Sequence, residues 1–453
     1  MARESIVNRS VMPCGGPLQF LRRRTLTHFV LSAVVAVTLQ GCATSRPVSD
    51  GPEVWQHRFA AHWKSDIVGA AHDLTVIAER WPDILPQYSD EILYSLFNRL
   101  GHAPAEQQAQ LDLLRQLYAG HWTMQCGRQP SFFWLKFVQQ LVDRNELKLA
   151  HDVVTHVRGP KEVLILRVDK RYMALAATDS SLPTVEEAAV QDIDQARAAV
   201  QRCPRSLYAT TRLVSAMLTA GRNEAALEAA NEAIVRIVDK PTSYDDVFDY
   251  ASRLLETRAD ALSALAHWPE AEETYRKSIG MYEKGHPNVS QQLDFALFLL
   301  RMGRVDDAQR VIGPHVTVDF RTDQIDGVSP YGAMVFARAK LQGSLLANDH
   351  GTAELVFAYL KRHRQDSQGI YRNALILTHR TDDYAQALVE DLRDPFRRAD
   401  TLVGIQDYEH LPRPPGSIDF RPEVQAALQR TEVQQAIHEV GSIQTFEIPG
   451  DFY

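Results

Sequence analysis

The chain has 453 residues, of which 45% are hydrophobic and 23% charged, a composition that is typical of folded soluble proteins and argues against disorder along its whole length. The formal net charge is −8, and the residues after position 41 carry 44 basic and 56 acidic side chains, a net −12. No basic run after Arg24 is long enough to suit nucleic acid, and an acidic surface disfavours flat binding to anionic lipid.

The first 41 residues have the organisation of an export signal. Three consecutive arginines, Arg22 to Arg24, precede an apolar run from Phe29 to Leu39. A run of about 11 residues matches a signal-peptide core and is too short to cross a bilayer. The region before Arg22 is long for a basic leader, so translation starts at either Met1 or Met12.

A four-residue motif follows the apolar run, Leu39-Gln40-Gly41-Cys42. It resembles the lipobox of bacterial lipoproteins, with Leu at −3, a small residue at −1 and then Cys, although Gln40 departs from the usual −2 residue. The resemblance implies that residues 1–41 are removed and that the Cys42 thiol carries lipid. Since Ala43 rather than Asp follows, it also implies the periplasmic face of the outer membrane.

Two alternatives to lipidation remain open. Ordinary cleavage after Ala43 would release a soluble periplasmic protein, and an uncleaved leader would act as an anchor. In the lipidated case, residues 42–53 form a polar tether with two prolines, and ten extended residues reach about 33 Å. The folded part would then stay close to its membrane.

Apolar residues recur at three- and four-residue spacing from Val54 onward, which predicts helix after helix. Long period-two stretches are missing, and Gly and Pro cluster between the helical segments. The fold class is therefore all-α. The predicted domain is a solenoid of antiparallel helical hairpins over 54–409.

Internal similarity supports hairpins that repeat along the chain. One segment has Gly221 after a first helix and small residues at Ala226 and Ala233 on the next, and it resembles a tetratricopeptide repeat. Further copies centre on Ala271 and Ala308, and a weaker one on Ala150. Ala266 replaces the expected Gly in the second copy. The interval from Ala226 to Ala271 is 45 residues and that from Ala271 to Ala308 is 37, and both exceed the family period of 34.

The remaining segments are predicted to be irregular. Residues 313–329 form a surface connector between helices or, alternatively, an interaction loop on one face. The segment 410–453 begins with a proline-rich extended stretch and continues with two short helices from Pro422. It ends in an extended tail that either packs back on the array or caps it.

Cys126 and Cys203 remain after processing, in an oxidising compartment. The repeats place about two hairpins between them, whereas a disulfide requires Cα atoms within about 7 Å. A disulfide is the alternative, and we expect two separate, buried or semi-buried thiols.

No catalytic, cofactor or metal-binding motif stands out. His57 and His62, and likewise His151 and His156, are five residues apart and do not share one face of a helix as a metal pair would. No metal protease, nucleophile-elbow, phosphate-loop or calcium-loop motif is present.

The tetratricopeptide resemblance implies a partner groove along the inward face of each first helix. In this sequence the matching positions alternate between polar and apolar side chains, as peptide binding requires. They are Tyr208, Thr211, Ser215, Arg253, Glu256, Asp260, Leu293 and Leu297.

Two functions follow as expectations. The first is a non-enzymatic scaffold that binds an envelope protein or peptide segment, because stacked repeats create binding surfaces without a reactive centre. The second is a periplasmic glycan-binding protein or peptidoglycan-acting enzyme, whose site would form in space and leave no motif in sequence.

Overall fold

Helices follow one another from Pro52 to Val440, as the apolar spacing predicts. The computed structural model describes residues 51–179, 181–281, 288–312 and 316–450. Within these ranges the chain forms two compact units, which divide between Gln125 and Cys126. The predicted single domain, 54–409, thus spans both units.

The first unit contains four α-helices. Asp66 caps the second helix by accepting a hydrogen bond from the Gly69 amide at 2.9 Å. Asp73, which is fully buried, lies 3.2 Å from Arg58 Nη2 and 2.6 Å from His62 Nδ1. The helices are α1 Pro52–Ser65, α2 Ile67–Arg80, α3 Asp90–Arg99 and α4 Pro104–Ala119, with a 3-10 turn at Pro82–Gln87.

The second unit continues the helical order and ends in short strands. Its first part contains α5 Ser131–Asp143, α6 Leu147–Val154, α7 Pro160–Val168, α8 Lys170–Thr178 and α9 Val185–Arg202. Five hairpins follow: α10 Leu207–Thr219 with α11 Asn223–Asp239, α12 Val247–Ala264 with α13 Trp268–Gly280, α14 Val289–Arg301 with α15 Val305–Ile312, α16 Pro330–Leu346 with α17 His350–Arg362, and α18 Gln368–Leu377 with α19 Thr381–Arg393. The last part contains α20 Arg398–Gly404, α21 Arg421–Leu428 and α22 Thr431–Val440.

Packing among the five hairpins is regular. Each first helix contacts the first helix of the next hairpin, from α10 through α18, and each second helix contacts the first helix that follows it. This is the neighbour pattern of a solenoid of antiparallel hairpins. Ala226, Ala230 and Ala233 of α11 are buried where the helices approach closely, as are Ala271 and Ala308.

The hairpin turns share one backbone conformation. A residue with positive φ follows each first helix, and the next amide bonds to the carbonyl five residues earlier, as in Arg222 to Met217 and His267 to Leu262. This is the Schellman ending of a helix, which favours Gly or Asn. The positive-φ residues are Asn145, Gly221, Ala266, Gly303, Asn348 and His379.

The second unit closes on itself. Helix α20 packs against α7, and Lys161 Nζ of α7 lies 3.0 Å from Asp400 Oδ1 of α20. Asp169 forms a β-bridge with Gly441, and Arg171 Nη1 donates to the Pro395 carbonyl at 3.0 Å. The last elements of the array therefore contact its first ones.

Cys126 and Cys203 form a disulfide, with Cα atoms 5.9 Å apart, so the expectation of two separate thiols is wrong. Helix α9 packs against α7 and ends at Arg202, whose guanidinium donates to the carbonyls of Cys126 at 2.6 Å and Gly127 at 3.2 Å. The end of α9 therefore lies beside the segment that precedes α5. The helices between the two cysteines fold back on themselves instead of advancing along one axis.

The predicted connector at 313–329 contains regular structure. Strands β1 Thr317–Asp319 and β2 Gln324–Asp326 pair antiparallel, with Val318 opposite Ile325. Arg362 Nη2 of α17 donates to Asp323 Oδ1 at 2.8 Å and holds the hairpin tip. Three residues per strand are too few for alternation to be visible in sequence.

The C-terminal segment packs on the array. Helices α21 and α22 lie against α19. Strand β3 Asp407–Tyr408 pairs in parallel with β4 Thr445–Phe446. Ser417 Oγ donates to the Arg301 carbonyl at 3.4 Å, and the Glu447 amide donates to Glu186 Oε1 at 3.2 Å.

Candidate interaction surfaces

The predicted lipidation site, Cys42, and the leader before it lie outside the described residues. Among the residues that the structure describes, no helix is both long and apolar enough to cross a membrane. In the same ranges, no group of three or more His, Cys, Asp or Glu is arranged to hold a metal ion.

The predicted groove residues of α10 lie on one stripe but differ in exposure. Thr211 is buried, and its hydroxyl donates to the Leu207 carbonyl at 2.9 Å. Ser215 Oγ donates to the Thr211 carbonyl at 3.1 Å, and the Tyr208 ring lies 5.1 Å from that of Tyr250. Tyr208 and Ser215 keep part of their surface open.

The predicted groove residues of α12 and α14 are buried or half-buried, and two of them bond to side chains of later helices. Glu256 Oε2 accepts a hydrogen bond from Gln291 Nε2 at 3.1 Å, and Asp260 Oδ1 accepts one from the Tyr275 hydroxyl at 2.6 Å. Arg253 is half-buried, and Leu293 and Leu297 are buried. The structure thus joins Glu256 to the next hairpin and Asp260 to the second helix of its own hairpin. The role of these residues in holding a partner stays a prediction.

A different surface, on the solvent-facing side of α11, forms an open groove. It encloses about 670 Å³ and runs toward the turn between α12 and α13. We call it the α11 groove. Its lining residues are Glu224, Leu227, Glu228, Asn231, Glu232, Val235, Arg236, Leu265 and His267.

Arg258 of α12 fixes the base of this groove. Its Nε donates to Asn231 Oδ1 of α11 at 2.6 Å, and its Nη1 donates to the Thr274 hydroxyl of α13. Desolvation lowers the pKa of Arg258, against the opposing charges of Glu273 and Glu270. One guanidinium therefore cross-links α11, α12 and α13, so the groove is preformed.

Exposed apolar side chains occur in the groove lining and elsewhere on α11 and α12. Val235 is 57% exposed and Val238, one turn further along α11, is 73% exposed. Phe248, near the start of α12, is 78% exposed. We did not predict this surface from sequence, although the four-residue spacing of Glu224, Glu228 and Glu232 was visible there.

A second candidate surrounds the closing contact between α7 and α20. The Lys161 ammonium lowers the pKa of the Asp400 carboxyl, whose side chain remains 65% accessible. Desolvation raises the pKa of Glu162. Desolvation also lowers the pKa of Lys136, whereas the charge of Asp400 acts to raise it. The pKa values of Glu162 and Asp400 are thus shifted in opposite directions, and shifted carboxyl pKa values are a feature of acid–base sites.

Comparison with known proteins does not assign the chain to a family. No family model matches the chain, and no curated protein matches it. One solved structure is described as a "Circular tandem repeat protein with novel repeat topology and enhanced subunit contact surfaces". It is 11% identical and covers 86% of this chain and 90% of its own, with a TM-score of 0.18, too low to indicate a shared fold.

Proposed function

We propose that this chain is a bacterial lipoprotein with tetratricopeptide-like hairpins that serves as a protein–protein interaction scaffold in the cell envelope. The α11 groove is the observation that carries the proposal. A preformed surface that offers both apolar and charged side chains, mounted on packed hairpins, suits recognition of a partner segment. The partner would be an envelope protein, bound directly or through a peptide segment of it.

The lipid anchor and the address rest on the leader and Cys42. The Cys126–Cys203 disulfide supports export, since such bonds persist in oxidising compartments and are rare in the cytosol. We place the protein on the periplasmic face of the outer membrane, and a soluble periplasmic form is the alternative. The anchor would concentrate the scaffold near its partner at one membrane surface.

In-cell crosslinking followed by affinity purification and mass spectrometry tests the scaffold function. The expected result is one or a few envelope proteins crosslinked to the wild-type chain and depleted in the Cys42→Ala variant. Membrane fractionation of both forms is the control, and Cys42→Ala should move the protein from the membrane to the soluble fraction. Absence of any envelope protein among the crosslinked species would reject a scaffold.

An alternative is a periplasmic enzyme or glycan-binding protein that uses the site around Lys161, Glu162 and Asp400. The raised pKa of Glu162 and the lowered pKa of Asp400 favour it, because acid–base catalysis uses carboxyls held in different environments. Incubating the purified mature protein with peptidoglycan tests this function. Release or retention of fragments that is lost in Glu162→Gln and Asp400→Asn would support it.

A further inference from the structure

We infer that the α11 groove binds a cationic amphipathic helix of a partner protein. This inference rests on the proposed scaffold function and specifies its partner class. It depends on three features of the groove, namely the spacing of its carboxylates, the exposure of its apolar side chains and the helical nature of its wall.

The carboxylates form a row along α11. Glu224, Glu228 and Glu232 are four residues apart, so they share one side of the helix at intervals of about 6 Å. Within the described ranges, Glu224 and Glu228 form no ion pair. Glu232 lies 3.7 Å from Arg236 with both side chains exposed, an arrangement that stabilises little. The row is therefore available to the cations of a partner.

Apolar side chains lie beside this row. Leu227 and Leu265 line the groove, and Val235 continues the lining while more than half exposed. Burial of such side chains under a partner is favourable by roughly 25 cal/mol for each Å² removed from water. A partner that matches both features needs apolar and basic residues on adjacent faces.

The wall of the groove favours a helical partner over an extended one. The α11 amides and carbonyls are used within the helix, so the wall has no free strand edge to which a peptide strand could add. The lining runs from Glu224 to Arg236, about 18 Å or three turns of an α-helix. A partner helix of similar length would place Lys or Arg at every fourth residue opposite the glutamates.

The same charges disfavour other classes of partner. Three lining carboxylates against one arginine leave an excess of negative charge along the groove. Anionic phospholipid and nucleic acid would both be repelled by it. The remaining competitor is a second copy of this chain, which the test below includes as an outcome.

The binding test uses a defined probe, because the natural partner is unidentified. The probe is a fluorescein-labelled synthetic helical peptide, with Leu at i, i+3, i+4 and i+7 and Lys at every fourth position of the adjacent face. A charge-swapped twin has Glu at each Lys position. Fluorescence anisotropy with the purified full mature protein should show that the Lys peptide binds at least about tenfold more tightly than its twin. The affinity should fall as salt is raised.

Two variants address the two features separately. Glu228→Lys should weaken binding of the Lys peptide about tenfold or more by opposing charge. Val235→Ser should weaken it by removing the apolar contact while leaving the charge of the groove unchanged. Glu79→Lys is the matched control, since it makes the same change in net charge. Glu79 is exposed in the last turn of α2, where a cation is favourable, and the variant should bind as wild type does.

A reciprocal measurement keeps the test informative if a variant is less stable. The Glu228→Lys protein should gain affinity for the Glu twin, which an unfolded variant could not do. Equal binding of the two peptides, or equal loss in Glu228→Lys and Glu79→Lys, would overturn the inference. So would a concentration-dependent dimer in analytical ultracentrifugation that dissociates in Glu228→Lys, because the groove would then hold a second copy.

Failure of this inference can be distinguished from failure of the scaffold function. If crosslinked envelope partners persist with the Glu228→Lys chain and neither peptide binds, the scaffold function stands while the groove chemistry is wrong. If the Lys peptide binds as described but no envelope protein crosslinks, the groove chemistry stands while the scaffold function falls.

Discussion

Lys161 Nζ and Asp400 Oδ1 are 3.0 Å apart, and this ion pair connects helix α7 near the start of the second unit with helix α20 near its end. The β-bridge between Asp169 and Gly441 and the contact from Arg171 to the Pro395 carbonyl lie in the same region. A helical array that ended freely would leave both terminal helices with an open side. Here helix α7 near the start and helix α20 near the end pack against each other.

The Lys161–Asp400 pair predicts a pH-dependent contribution to stability. Lys161 holds the Asp400 pKa below its ordinary value, so the stabilisation is present above about pH 4 and is lost as the pH falls through the lowered value. Because Asp400 is largely accessible, Asp400→Asn should lower the unfolding free energy by no more than about 1 kcal/mol at pH 7. Urea unfolding of both proteins at several pH values measures this. A wild-type-to-variant difference that stays constant down to about pH 2.5 would contradict the assignment.

The Cys126–Cys203 disulfide predicts a larger effect. Cys203→Ala should lower the unfolding free energy by roughly 2–5 kcal/mol, because the bond closes a long loop in the unfolded chain. Guanidinium unfolding with and without dithiothreitol provides the measurement. Reductant should destabilise the wild-type protein and leave Cys203→Ala unchanged. Equal sensitivity of the two proteins to reductant would mean that the bond does not form.

The hydrogen bond from the Tyr275 hydroxyl to Asp260 joins α13 to α12, and its removal should lower the free energy of unfolding. Tyr275 is buried, and its hydroxyl lies 2.6 Å from Asp260 Oδ1. Tyr275→Phe should cost about 1.5–3 kcal/mol, the range for hydrogen bonds to charged groups. Asp260→Asn keeps an acceptor oxygen and is the control, with a smaller expected loss. Thermal unfolding ranks the two variants, and the reverse order would argue against this bond as the stabilising feature.

The close backbone approach at Gly441 predicts a position that tolerates no side chain. A Cβ there would lie 2.3 Å from the Val168 carbonyl oxygen and 2.9 Å from the Leu402 side chain. Gly441→Ala should cost about 1–3 kcal/mol, as overpacking does. It should also speed hydrogen exchange of the Ser442 amide, which donates to Val168 O at 3.1 Å.

Gly280→Ala is the matched control for that substitution. Gly280 ends α13, and a Cβ there would meet no atom within 4 Å. Its unfolding free energy should stay within about 0.5 kcal/mol of the wild-type value. Equal behaviour of the two alanine variants in chemical unfolding and hydrogen exchange would contradict a tight contact between α22 and α7.

Local features of the second unit could be predicted from sequence because each depends on residues within one or two helical turns. The spacing around Gly221, Ala266 and Gly303 indicates helices that end and reverse there, and all three adopt the positive φ of a Schellman turn. The small residues Ala226 and Ala271 indicate close helix packing, and both are buried. The turns at Asn348 and His379 follow the same geometry without a glycine to mark them.

The candidate site shows where such prediction ends. The stripe that includes Glu256 and Asp260 was assigned from the repeat register, and in the structure both residues bond to side chains of the following helices. The α11 groove depends on which face of α11 is left open after α12 and α13 have packed, which helix periodicity alone does not decide. The row from Glu224 to Glu232 is visible in sequence only as an ordinary exposed face.

The sequence by itself determined the all-helical class, the hairpin turns and the candidate export signal, since hydrogen bonding, turn conformation and amphipathic spacing are properties of short segments. Only the tertiary structure decided that Cys126 meets Cys203, that α20 returns to α7 and that α11 presents an acidic groove. Each of these depends on small rotations from one helix to the next, which add up over many helices. No single segment specifies their sum, so contacts between distant residues emerge only when the whole array is assembled.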